Sequence, residues 1–112
     1  MVLTVNFRDH VKARIEADPE FRAALFQEAV QTLIEGDVAT ARAVLRDFIN
    51  ATVGFPALAK ATGIPPKSLM RMFGPNGNPT AANLFMVVRV LQKKTGVHLE
   101  VRAIASAAGQ AA

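Results

Sequence analysis

The stretch FPALAKATGIPPKSLMRMFG, residues 55–74, decides the fold of this chain. Its first apolar run ends at Gly63, a residue type that readily adopts the left-handed conformation of a sharp turn. The paired prolines that follow, Pro65 and Pro66, cannot continue the preceding helix, but a proline is well tolerated in the first turn of a new one. The stretch therefore predicts two short helices joined by a glycine turn.

The second of these helices has two different faces. Leu69, Met72 and Phe73 fall on the side that we expect to face the core, whereas Lys67 and Arg71, four residues apart, point together to solvent. Two short helices joined by a glycine turn, the second with a basic outer face, are typical of a helix-turn-helix unit. The alternative is a compact helix pair that serves only as core.

The rest of the chain is also helical in its pattern, because apolar residues recur at steps of three and four. The sequence predicts helix caps at Asn6 and Thr80, a helix start at Asp18 with Pro19 and Glu20, and the start of a third helix near Asp37. Glycines at 36 and 54 end the second and third helices. The sequence therefore predicts an all-α fold, a small bundle of about six helices.

The length of 112 residues suffices for one compact domain with one core. We divide that domain into three parts. Residues 1–53 are N-terminal helices that pack into the core and can also form a dimerisation or partner-binding extension. Residues 54–96 hold the helix-turn-helix unit and a closing helix, and residues 97–112 form a C-terminal arm.

The arm begins with VHLEV, residues 97–101, in which apolar and polar residues alternate. This alternation is typical of a short β-strand, which is unstable alone but could pair with its copy in a second subunit. The alternative is an extended arm that lies on its own subunit. Residues 103–112 carry no charged side chain. They could form either a frayed end or a helical extension.

Charge is distributed unevenly along the chain. Residues 1–53 carry six basic and eight acidic side chains, whereas residues 54–112 carry seven basic side chains and a single acidic one, Glu100. A basic half of this kind attracts phosphate backbones or anionic surfaces through its long-range field. The charge pattern therefore favours an anionic partner.

Several classes of function lack their motifs. Without cysteine there is neither a disulfide framework nor a thiolate metal site, and a cytoplasmic location is the default. His10 and His98 are far apart in sequence and have no patterned carboxylates beside them. The chain also lacks phosphate-loop, dinucleotide-binding and nucleophile-elbow motifs, a long apolar run and a signal-peptide layout. We therefore expect a protein that is not an enzyme, binds neither a metal nor a cofactor, and has no membrane as a partner.

The unit at residues 55–74 resembles the helix-turn-helix of the Cro and phage-repressor family. The resemblance rests on Ala59 at the helix crossing, Gly63 at the turn, and inward apolar residues at Ile64, Leu69 and Met72. Phe55 stands where many such units have a phosphate-binding glutamine, and Pro66 occupies a place where a polar side chain often touches a base. With these departures, fewer side chains of the unit are available to contact DNA bases directly.

A wider set of motifs resembles the addiction-module antidote proteins, the HigA-like antitoxins. The motifs lie within roughly residues 33–101 and are GD at 36–37, LRDFINATVG at 45–54, LAKATG at 58–63, KSLMRM at 67–72, GNPTAANL at 77–84 and VHLEV at 97–101. The strongest are the TG turn with KSL and the GNP that follows. The resemblance implies a Cro/C1-type transcriptional regulator that binds its operator in double-stranded DNA as a homodimer. It also implies an autoregulating antitoxin of a toxin-antitoxin module, with a toxin of the RelE or HigB kind as partner.

The candidate site residues follow from a recognition helix placed in the major groove. Arg71 can donate two hydrogen bonds to a guanine, and Lys67 can reach a base edge or a phosphate. Met70 either meets a thymine methyl group or fills the seam beside the core. The predicted phosphate contacts are Lys60, Ser68, Asn76, Gly77 through exposed backbone amides around it, Asn78 and Thr80.

Each of these residues has a plainer interpretation. Asn76 and Asn78 are of types common in turns, Thr80 can act simply as a helix cap, and an exposed basic side chain is often only a solvated charge. The rival function is a protein–protein adaptor whose helix-turn-helix no longer binds DNA.

Overall fold

The computed structural model describes residues 2–107, with side chains from residue 9 onward. All regular structure in this part of the chain is helical. The elements are α1 (Val2–Ala17), α2 (Pro19–Ile34), α3 (Val38–Ala51), α4 (Phe55–Thr62), α5 (Pro66–Met72) and α6 (Ala81–Thr95). The prediction of an all-α bundle of about six helices is confirmed.

Side-chain caps begin three of the helices where the sequence predicts them, at Asp18, Asp37 and Thr80. The Oδ1 atom of Asp18, for example, accepts hydrogen bonds from the N–H groups of Glu20 and Phe21, both at 3.1 Å. The prediction for Asn6 was wrong, because α1 already begins at Val2 and continues through that position. A cap-forming residue type marks a helix start only where the chain before it is not helical.

Helices α2 and α3 form a hairpin around Gly36, whose φ of 96° lies in the region that favours glycine. Phe26 of α2 stacks on Phe48 of α3 with ring centroids 4.8 Å apart and an interplanar angle of 18°. Both rings are fully buried. These residues lie at nearly equal distances in sequence from the turn, as expected when two antiparallel helices pack face to face.

Helix α1 packs against both members of this hairpin. Arg22 of α2 ties down its C-terminal end, since Nη1 donates to the carbonyls of Ile15 at 3.3 Å and Glu16 at 3.4 Å. Free carbonyls at a helix C-terminus are favourable partners for a cation. The first three helices therefore form one packed unit.

The remaining helices are organised around α4, which contacts both α5 and α6. Gly63 ends α4 in the left-handed conformation, with φ of 77°, and its N–H donates to the carbonyl of Ala59 at 2.8 Å. The ring of Phe55 at the start of α4 lies 6.2 Å from that of Phe73 after α5, tilted by 50°. Residues 55–72 thus form the predicted pair of short helices around a glycine turn.

Both groups of helices contribute to one continuous apolar core. Its fully buried larger side chains are Ile15, Phe26, Leu45, Phe48, Ile49, Leu58, Leu69, Phe73, Val87 and Leu91. Because α5 and α6 share this core with α2 and α3, the helix-turn-helix unit is held against the N-terminal helices by burial of apolar surface.

The described part of the C-terminal arm contains no strand. Val97 and Leu99 pack partly buried against the core of their own chain, and the N–H of Leu99 donates to Oε1 of Gln92 at 3.1 Å. Beyond them Val101 and Ile104 are 79% and 80% exposed. Within its own chain the arm therefore lies extended, and its pairing with a copy in a second subunit stays a prediction. Residues 108–112 lie outside the described residues.

The buried stack between α2 and α3 leads to a first prediction. Phe26→Ala removes a fully buried ring and should lower the free energy of unfolding by about 3–5 kcal/mol. Phe85→Ala is the matched control, because that ring is 55% exposed on α6; its effect should stay within about 0.5 kcal/mol. Urea unfolding followed by circular dichroism measures both, and equal losses would contradict the packing described here.

Candidate nucleic-acid interface

The position of α5 is set by the side chains that it buries. The helix has seven residues and no side-chain cap at its start, and so short a helix is not stable by itself. Leu69 is fully buried and Phe73, which ends the helix, is 1% exposed. Burial of these two side chains therefore holds the segment helical and fixes its rotation about its own axis.

The opposite side of α5 faces solvent. Lys67 and Arg71 are exposed and Met70 is 55% exposed. At spacings of three and four residues the three side chains share one face, which we call the basic face of α5. The alternative in which Met70 fills the seam beside the core was wrong, because that side chain lies on the solvent side.

The basic face has no acidic counterpart. No aspartate or glutamate occurs between Asp47 and Glu100. Among the side chains of residues 9–107 the sole ion pair joins Arg14 and Asp18, with 3.7 Å between Nε and Oδ2. The charges of α5 are therefore compensated by solvent alone, which leaves them available to an anionic partner.

The loop at residues 74–79 follows α5 directly and presents two asparagines to solvent, Asn76 and Asn78. Between them Gly77 is half-buried, and its N–H donates to the carbonyl of Gly74 at 3.0 Å. Since that amide is already used within the loop, it is not free to bind a phosphate. The Gly77 amide therefore leaves the set of proposed contacts.

The remaining predicted contacts differ in their surroundings. Lys60 is exposed in the last turn of α4, and Ser68 is half-buried on α5. Thr80 caps α6, since its Oγ1 accepts from the N–H of Asn83 at 3.1 Å. A hydroxyl that accepts one hydrogen bond can still donate another, so capping leaves Thr80 able to contact a phosphate.

A further residue, Arg42 on α3, joins this region without any sequence signal. Its Nη1 donates to the carbonyl of Gly77 at 2.9 Å and its Nη2 to the carbonyl of Pro75 at 3.1 Å. The planar guanidinium presents several donors in a fixed geometry, which allows one side chain to hold two carbonyls. Arg42 thereby connects helix α3 to two loop residues that lie 33 and 35 positions further along the chain.

Phe55, at the start of α4, is only 6% exposed. Its ring packs towards Phe73 inside the core. An apolar ring in this place cannot bind a phosphate, so the start of α4 contributes stability to the unit.

Other kinds of site receive little support from the described residues. No group of three or more histidine, aspartate or glutamate side chains among them could hold a metal ion. Nor does any helix within residues 2–107 have the length and apolar character needed to cross a membrane. A surface cavity of about 420 Å³ between α1, α2 and the ends of α3 and α6 is lined by Glu16, Arg22 and Lys94, and charges of both signs there favour no single ligand.

Comparison with known proteins identified no relative, since no family model, no curated protein and no solved structure matches the chain. The resemblance to the antidote proteins therefore rests on the sequence motifs alone.

The packing of the loop against α5 leads to a second prediction, on two glycines. A Cβ atom at Gly77 would overlap the carbonyls of Arg71 and Met72, whereas one at Gly63 would meet nothing within 4 Å. Gly63→Ala should therefore cost only the left-handed conformation, about 1–2 kcal/mol. Gly77→Ala should cost more than about 2 kcal/mol, because backbone must move to admit the methyl group.

Urea unfolding of the two variants beside the unchanged protein measures the difference. A smaller loss for Gly77→Ala than for Gly63→Ala would show that the loop yields easily and is not held against α5.

Proposed function

We propose that this protein is a sequence-specific DNA-binding transcriptional regulator that inserts α5 into the major groove of double-stranded DNA. The observation that carries the proposal is the basic face of α5, where Lys67 and Arg71 are exposed and have no acidic partner. In a helix-turn-helix unit the second helix is the one that reads the groove. The resemblance of residues 55–74 to Cro-like units supports the same interpretation.

The size of α5 agrees with this role. Seven residues of α-helix extend over about 10 Å, and the major groove of B-form DNA is about 12 Å wide. In the proposed complex Arg71 donates two hydrogen bonds to the O6 and N7 atoms of a guanine. Lys67, one turn earlier, reaches a neighbouring base edge or a phosphate, and Met70 between them offers apolar contact to a thymine methyl group.

Contacts to the DNA backbone complete the proposed interface. Asn76 and Asn78 lie exposed in the loop after α5, and Thr80 follows them at the start of α6. Neutral polar side chains of this kind hold a protein in register on the phosphates without reading sequence. Lys60 and Ser68 are further proposed backbone contacts.

The more specific role is proposed on the sequence resemblance. In this role the protein is an autoregulating antitoxin that acts as a homodimer and binds a RelE- or HigB-like toxin. Two-fold symmetric binding would place two copies of α5 one helical turn apart on the duplex. A short toxin-like reading frame beside the gene is the expected genomic finding.

Replacement of Arg71 tests whether α5 reads the base sequence of the DNA. In fluorescence-anisotropy titrations with duplex DNA from upstream of the gene, Arg71→Ala should weaken binding by about 1–3 kcal/mol and relax preference at one base pair. Arg89→Ala is the matched control, because it removes the same charge from an exposed position on α6. It should lower affinity slightly and equally for all sequences.

Equal losses in the two variants would show that net charge, and not base contact, determines binding. The unchanged protein should also lose affinity steeply as salt rises, because counterions leave the DNA on binding. Absence of a complex with the upstream duplex and with unrelated DNA, at low salt, would refute the proposal and favour the protein–protein adaptor.

A further inference from the structure

Arg42 makes two side-chain hydrogen bonds that join residues 35 and 33 positions apart in the sequence. The residue is half-buried on α3, outside the helix-turn-helix unit. It also has no acidic partner among the described side chains. Its donors are instead directed at the carbonyls of Pro75 and Gly77, in the loop between α5 and α6.

The same loop is held from its other side by α5. The N–H of Gly74 donates to the carbonyl of Arg71 at 3.1 Å, and that of Gly77 donates to the carbonyl of Gly74 at 3.0 Å. Gly77 lies so close to the carbonyls of Arg71 and Met72 that it leaves no room for a side chain. The loop is therefore confined between the end of α5 and the guanidinium of Arg42.

This confinement has a consequence for the side chains around it. Arg71, the proposed base-reading residue, has its own carbonyl in contact with the loop, and Asn76 and Asn78 flank the held Gly77. A loop already ordered in its bound conformation does not pay the entropy of ordering when the partner arrives. Arg42 holds this loop from α3 through the carbonyls of Pro75 and Gly77.

We propose that Arg42 is a positioning residue for DNA binding, which sets the loop at residues 74–79 and the end of α5 in the orientation that the duplex requires. This inference rests on the proposed function. It extends the interface to a helix of the N-terminal half.

The test uses Arg42→Gln, which shortens the side chain and removes the guanidinium and its charge, and Arg42→Lys, which keeps the charge but loses the guanidinium geometry. The matched control is Arg46→Gln. Arg46 lies one turn further along α3, is also half-buried, and its side chain has no hydrogen bond or ion pair with the described residues.

Two quantities are measured for each variant: hydrogen exchange of the Gly77 amide by NMR without DNA, and affinity for the upstream duplex by anisotropy. Exchange of the Gly77 amide should rise about tenfold or more in both Arg42 variants, because it reports local opening of the loop. The Leu91 amide in α6 should be unchanged, which shows that the fold is intact.

Affinity should fall by about five- to tenfold in Arg42→Gln, and also in Arg42→Lys although the charge is retained, since the freed loop must be ordered on binding. Arg46→Gln should leave the hydrogen-exchange rate of the Gly77 amide unchanged. It should alter the affinity for the upstream duplex by less than about twofold.

Three results would overturn the inference. One is faster Gly77 exchange with affinity unchanged. A second is that Arg42→Gln and Arg46→Gln lose affinity equally while Arg42→Lys binds as the unchanged protein does. That result would show that the charge, and not the guanidinium geometry, determines the affinity. The third is unchanged Gly77 exchange in both Arg42 variants. If the unchanged protein binds no duplex, the proposed function fails together with this role, whereas the other outcomes refute the role of Arg42 alone.

Discussion

The burial of Leu69 and Phe73 is the constraint on which the proposed interface depends. A seven-residue segment that begins with proline and lacks a side-chain cap has little helical stability of its own. It is helical here because these two side chains belong to a core shared with α4 and α6. The same burial turns Lys67, Met70 and Arg71 outward, so the stability of the core and the presentation of the basic face are consequences of one packing arrangement.

The two halves of the chain contribute to that arrangement in different ways. The N-terminal helices supply much of the buried apolar surface, including the Phe26–Phe48 stack. They also carry nearly all of the acidic side chains, whereas the proposed interface lies in the basic half. Arg42 connects the halves by hydrogen bonds, in addition to the core contacts that already join them. The N-terminal helices are thus part of the scaffold of the helix-turn-helix unit.

Most of the secondary structure could be predicted because its signals are local. Asp18 with Pro19, Asp37 and Thr80 start helices by hydrogen bonds within three residues, and Gly63 ends one through its own backbone conformation. One helix start was wrong: Asn6 has the right chemistry for a cap, but the chain before it is helical. The alternating pattern of residues 97–101 forms no strand within its own chain, and its pairing with a second copy stays a prediction.

By itself, the sequence determined the helices, the glycine turn and the side of α5 that carries charge, because helical periodicity assigns apolar and polar residues to opposite faces. It also determined that the segment between Asp47 and Glu100, which holds the proposed interface, has no acidic residue. The tertiary structure alone decided that the Gly77 amide is used within the loop and that Arg42 holds the loop from α3. These facts depend on which backbone groups meet after packing, and residues more than thirty positions apart leave no periodic or local signal of their contact.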